Sequence, residues 1–199
     1  QFTYALLDER APQARVLDHD EALAELTKRY FTSHGPATLQ DFVWWSGLTM
    51  ADVKAGITMV ASQFVHAIID GQTYWFSPAT PATPATTTIS ANLVASSIKD
   101  GLQTAYLLPN FDEYTVGYKD RSAVIDASYT QHFDTRGNVL NHVIVINSQV
   151  VGTWKRTVKK GVAIITPNFF APLNSDEQRA FLAAMNQYSA FLAMPVHTT

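Results

Sequence analysis

The chain of 199 residues contains no cysteine. That excludes disulfides, thiolate zinc sites and a cysteine nucleophile, and it fits a reducing compartment, so a cytoplasmic location is expected. No apolar run approaches the ~18 residues that suggest a membrane helix, and no signal-peptide pattern is found, so no membrane partner is expected. Charged residues are sparse, at 16%. There is no Gly-x-Ser-x-Gly, no dinucleotide fingerprint and no phosphate-cradling glycine loop. The six histidines, at positions 19, 34, 66, 132, 142 and 197, nowhere stand at a tight ligand spacing. His132 and Asp134 are close, but two ligands do not make a site. No metal and no cofactor are expected.

What is present is a 47% hydrophobic composition, that of a folded protein. The net charge of −3 conceals an uneven distribution. Acidic residues outnumber basic ones before position 119. From there to position 160 stand Lys119, Arg121, Arg136, Lys155, Arg156, Lys159 and Lys160, against only Asp120, Asp126 and Asp134. Positive potential is therefore expected in the second half.

The first half reads as helix, short helix, helix and hairpin. Asp18 or Asp20 caps a helix to about Ser33, with Ala22, Leu23, Leu26 and Tyr30 as its buried stripe. Gly35-Pro36 stops it. Thr38 caps a second helix through Trp45, and Thr49 a third to about Val60. Asp70-Gly71 then joins two strands, Phe64 to Ile69 and Gln72 to Phe76. That order is a winged helix-turn-helix over residues 18–77. Its third helix turns Ala51, Asp52, Ala55 and Met59 outward, with Lys54 on the flank. A reader of base edges needs Arg, Lys, Asn or Gln there. A scaffold role, with this small apolar face packed on another domain, is the preferred reading. Trp44 is expected on the same kind of interface.

Residues 1–17 read as a strand and connector, the remnant of a preceding domain, because Phe2-Thr3-Tyr4-Ala5-Leu6 alternates. Residues 78–97, which include PATPATPATTT, read as a low-complexity linker. A short helix is expected at Ala91–Ile98 and a polar loop at Gln131–Gly137. Residues 98–199 read as a small β-rich, barrel-like domain. Its strands are Ala105 to Leu108, Val143 to Ile146, Val150 to Val158 and Val162 to Thr166, and a C-terminal helix closes it. Ser175 to Gln178 makes a capping box for that helix, and Phe181, Met185, Tyr188 and Leu192 form its buried stripe. The expected class is α+β.

HGPATLQDFVWWSGL, LLPNFDEYTVGYKDR and VVGTWKR, in that order, resemble the C-terminal half of the tandem winged-helix DNA-binding family. That family includes the AlkZ-type DNA glycosylases, which excise N-alkylated bases and unhook interstrand crosslinks. The resemblance covers most of residues 20–190. It implies tandem winged helices curved around double-stranded DNA, with a β-rich C-terminal part, and hence a missing N-terminal winged-helix domain. The family's catalytic signature is typically Gln-x-Gln near the start of the full-length chain. None occurs here, so the resemblance assigns no catalytic residue. Asp112-Glu113 matches the family motif FDEY, without a role to carry over. Capping, or an ion pair with Lys119 or Arg121, is the simpler reading of that pair.

The expected DNA-binding residues are Lys119, Arg121, Trp154, Lys155, Arg156, Lys159 and Lys160. In a regular strand Trp154 and Arg156 share a face with Val150 and Val158, while Lys155 and Thr157 share the other. Trp154 is either core or part of a basic hairpin that grips phosphates, and the sequence leaves both open. The functional expectation is the DNA-binding portion of a repair glycosylase-like protein. The alternative is a non-enzymatic winged-helix DNA-binding or protein-interaction module.

Overall fold

The computed structural model describes residues 4–78, 104–132 and 142–199. It is a mixed helix-and-sheet protein that divides into two compact units, Gln1–Ala85 and Thr86–Thr199. The linker from residue 79 onward, the helix at Ala91–Ile98 and the loop beyond His132 lie outside the described residues.

The expected N-terminal strand is not found from Tyr4 onward. Leu7–Arg10 forms a single helical turn, α1, and every residue from Tyr4 to Arg10 is exposed. Among the described residues no strand pairs with this segment, and its backbone closes on itself, with Ala11 N–H donating to Leu7 O at 2.8 Å. Asp8 and Glu9 in the first turn and Arg10 in the last suit the helix dipole.

Helix α2, His19–His34, begins at Asp18, whose carboxylate accepts from Glu21 N–H at 2.8 Å in a capping box. Its buried residues are Leu23, Thr27, Tyr30 and Phe31, while Ala22 is exposed. The stripe is thus rotated from the expected one, because α4, Met50–Val60, crosses at Thr27. A Cβ on Gly56 of α4 would stand 2.3 Å from the Thr27 hydroxyl oxygen, so only glycine lets the helices approach this closely. The buried hydroxyl is satisfied by Leu23 O at 2.7 Å.

Helix α3, Leu39–Ser46, opens on Thr38, which exchanges bonds with buried Asp41. Phe42 packs on Tyr30 at 4.7 Å and on Phe31 at 5.6 Å between ring centres, forming an aromatic core. Thr49 caps α4 and also donates to Asp52 at 2.6 Å. A 3₁₀ turn, Ala61–Gln63, leads to β1, Val65–Ile69, and β2, Gln72–Phe76. Asp70 and Gly71 both take positive φ, as a two-residue hairpin turn of this kind demands. Ala37 exchanges backbone bonds with Trp75 at 3.0 and 2.8 Å, tying the hairpin to the start of α3.

The second unit is a five-stranded sheet in the order β3-β4-β5-β6-β7. Its strands are β3 Ala105–Leu108, β4 Val143–Ile146, β5 Gln149–Lys159, β6 Val162–Phe169 and β7 Val196–Thr198. Pairing is antiparallel up to β6, and β7 joins β6 in parallel. Among the described residues the sheet is open, with β3 and β7 at its edges. The β4–β5 and β5–β6 turns are two-residue ones, Asn147-Ser148 and Lys160-Gly161, all four at positive φ. Helix α5, Glu113–Val116, is a short turn capped by Asp112. Helix α6, Ser175–Leu192, is capped by Asn174 rather than Ser175, in a box with Glu177.

One face of the sheet, with Ala105, Ile144, Ile146, Trp154 and Ile165, packs against Ala180, Phe181, Ala184 and Met185 of α6. The other carries Val143, Val145 and Val150 under Ile125 and Tyr114. The expected sharing of a face by Val150 and Trp154 is therefore corrected. Ile144 pairs with Gly152 but Val145 with Val150, so Val151 is one residue too many. This β-bulge reverses the alternation, placing Val150 and Trp154 on opposite faces. Gly152 sits in the bulge, where a Cβ would lie 2.6 Å from Asn168 O of β6. No helix among the described residues is long and apolar enough to cross a membrane.

Candidate nucleic-acid interface

Beyond the bulge β5 alternates regularly. Register places Lys155 opposite Thr166, Thr157 opposite Ile164 and Lys159 opposite Val162. These residues share the face turned away from α6, because their neighbours Trp154 and Ile165 belong to the core beneath that helix. His197 of β7 stands beside Ile164, and the Thr199 and Thr166 hydroxyls lie 3.3 Å apart. Lys160, at φ 49, forms the turn with Gly161. The result is an exposed surface of three lysines among threonines. No described carboxylate pairs with Lys155, Lys159 or Lys160.

Arg156 takes the opposite face, register partner to Ile165, and its Nη1 donates to the Tyr188 hydroxyl at 2.6 Å. Trp154 is only 4% exposed, and its Nε1 donates to Leu108 O at 3.0 Å. Of the two readings left open for Trp154, the core one holds; its ring is no contact surface. His142 presses edge-on against that indole at 4.7 Å. Burial, and then the Arg156 guanidinium, holds its pKa below the usual histidine value of 6.5.

Lys119 and Arg121 follow α5. Lys119 is exposed; Arg121 is half-buried and donates through Nε to Thr115 O, where it pins the segment. Asp112 is a cap, its carboxylate accepting from Tyr114 N–H at 3.0 Å. Asp120 is held below its ordinary pKa by Ser122, first through a backbone and then a side-chain bond. A negative charge thus stands between Lys119 and Arg121 in the chain. Among the described residues no group of His, Asp or Glu could hold a metal ion.

In the first unit Ala51, Ala55 and Met59 of α4 and Trp44 of α3 are exposed, as is Lys54. Nothing on that helix face is aimed like a base-reading side chain. Thr166, Thr199 and His197 were missed by sequence reasoning. A three-residue strand after Pro195 carries too short an alternation to signal itself.

A family model described as DNA glycosylase AlkZ-like matches residues 1–191. The fold is similar to that of the Streptomyces sahachiroi DNA glycosylase AlkZ, with a TM-score of 0.65 and 16% sequence identity. The likeness covers 94% of this chain and 48% of that one, so the chain spans about half the length of that structure. No curated protein matches it.

Proposed function

The chain belongs to the AlkZ-like DNA glycosylase family, and from that premise we propose that it supplies scaffold and phosphate-backbone grip to a DNA repair glycosylase-like protein. The observation that carries this reading is the face of β5 and the β5–β6 turn bearing Lys155, Lys159 and Lys160. Affinity for duplex DNA comes largely from neutralising phosphates and releasing counterions. Three lysines without partner carboxylates can do that, and exposed Lys119 offers a further cation in the same unit.

On this reading residues 18–77 are a winged helix, 78–97 a linker and 98–199 the β-rich domain. The order of α2, α3, α4 and the β1–β2 hairpin supports the first assignment. The bland outward face of α4 makes that unit a support rather than a base reader. Coverage of about half of AlkZ fits a chain that corresponds to part of a larger enzyme, and on the motif resemblance that part is the C-terminal half. A Gln-x-Gln pair for base excision then lies in a preceding winged-helix domain, and this chain alone releases no base. Double-stranded DNA is the partner and the cytoplasm the location. A second reading, protein docking by the first unit, is favoured by Trp44 and Ile68, 54% and 72% exposed.

The test is duplex binding at several salt concentrations. Replacing Lys155, Lys159 and Lys160 by Ala should weaken binding about equally for all sequences. It should also reduce the slope of log K against log salt by about 3, at roughly 0.9 per phosphate contact. Lys54→Ala should change little. If the triple variant binds like the parent while Lys54→Ala loses affinity, the grip lies on α4 and the proposal is wrong.

A further inference from the structure

The reverse face of the same hairpin carries a second cluster that backbone grip does not use. Tyr188 of α6 stacks near-parallel to Phe191, with ring centres 6.3 Å apart and planes inclined by 19°. Tyr188 also meets Trp154 edge-on at 5.4 Å, so the core fixes its ring. The Arg156 guanidinium rests on the Tyr188 hydroxyl at 2.6 Å. Phe191 itself is 83% exposed. An apolar ring left this exposed at the end of a well-packed helix contributes little to the core and is open to a ligand.

Charge favours a polyanion here. The acids of α6, Asp176 and Glu177, lie in its first turn, about 22 Å along the axis from Phe191 at 1.5 Å per residue. The helix residues just before Phe191, Asn186, Gln187, Ser189 and Ala190, carry no charge. The described ion pairs include none to Arg156. Position links the cluster to the lysines. The chain leaves α6 and, through Pro195 O, accepts from Ala163 N–H at 2.9 Å. Ala163 is two residues beyond Gly161 of the turn, and its register partner Val158, half exposed, shares the face of Arg156. The end of α6 thus lies beside the hairpin tip that presents Lys159 and Lys160.

We infer that Tyr188 and Phe191, rimmed by Arg156, form a stacking platform for one unpaired nucleobase of a DNA held by the hairpin. Lysines on one face hold the backbone, and at the tip the strand turns so that an extrahelical base reaches the rings on the other. Stacking on aromatic rings is tolerant of base identity, and an adjacent guanidinium adds to it. The inference rests on the duplex-grip reading above.

The experiment compares a fully paired duplex with the same duplex carrying one unpaired 2-aminopurine, at low salt, using the whole chain. The parent should prefer the second by roughly 5- to 100-fold, the range of one base–aromatic stack, and should quench the 2-aminopurine emission. Phe191→Ala, at a site exposed enough to leave folding intact, should abolish the preference and the quench without loss of paired-duplex affinity. Phe191→Trp should restore both. Equal binding of the two duplexes by the parent, without quenching, refutes the platform and leaves the lysine grip standing. A preference that survives Phe191→Ala places the base elsewhere and also refutes it. Absence of binding to either duplex refutes the grip, and the platform with it.

Discussion

The Trp154 indole N–H and the Leu108 carbonyl oxygen are 3.0 Å apart, joining the middle of β5 to the end of β3 across the sheet. Trp154→Phe keeps an aromatic ring beside Tyr188 but orphans that carbonyl. It should cost about 1 kcal/mol, the low end of the range for an unsatisfied acceptor, since Leu108 is half-buried. Trp154→Ala adds a cavity and should cost about 3–5 kcal/mol. Urea denaturation followed by far-UV circular dichroism measures both. Equal stability of Trp154→Phe and the parent would show that water satisfies Leu108 equally well.

Gly56→Ala inverts the usual sign. Inside a helix, alanine in place of glycine commonly stabilises by roughly 0.5–1 kcal/mol. Here the new methyl meets the Thr27 hydroxyl at 2.3 Å, so the variant should be less stable than the parent. In a Thr27→Ala background the same change should be neutral or favourable. A double-mutant cycle reads this coupling; additive effects would mean that the helices part without penalty.

Gly152→Ala has no such rescue. Its Cβ meets backbone, Asn168 O at 2.6 Å and Phe169 Cα at 3.0 Å. Neither can rotate away, so β5 and β6 must separate at the bulge. A loss above about 2 kcal/mol is expected, as for other backbone clashes in a core. Protection of the β5 and β6 amides from hydrogen exchange should fall first around position 152.

His142 sets a pH window. Its pKa is lowered in the folded state, by burial first and by Arg156 second. The unfolded chain therefore takes up the proton more readily. Stability is complete above the usual value of 6.5 and declines as the pH falls below it. His142→Phe keeps a ring against Trp154 without the titration, so it should flatten the decline that sets in as the pH falls below 6.5. The stability that Asp120 and Asp126, lowered from 3.8, contribute is complete above that value and is lost only in more acidic solution. Unchanged slopes in His142→Phe would assign the effect to other groups.

Much of the fold was legible because its signals are local. Thr38, Thr49 and Asp70-Gly71 mark helix starts and a turn through their own backbone chemistry, and each element begins where they stand. What was not legible depended on contact between distant segments. Thr27 is polar, and only the crossing of Gly56 explains its burial. Phe2 to Leu6 alternates, but a strand needs a partner that no local pattern can supply. Val150 looked like a neighbour of Trp154 because a bulge is invisible in a run of β-branched residues. For the interface, the cluster of cations was readable. The division of Lys155 from Arg156 onto opposite faces was also readable, from period two alone. That Trp154 is core, and that β7 and the residue after it bring His197 and Thr199 to the lysine face, required the folded sheet.

Strand β7 bears on how this protein is handled. Val196–Thr198 covers the backbone edge of Ala163, Ile164 and Ile165. Without it, β6 would present a row of unsatisfied amides flanked by β-branched side chains, the template on which sheets join edge to edge. Trimming the chain at Pro195 should thus leave β6 as a longer open edge, more prone to edge-to-edge pairing. Strand β7 thus replaces the eight-residue edge of β6 with one of three residues, too short to template another sheet well.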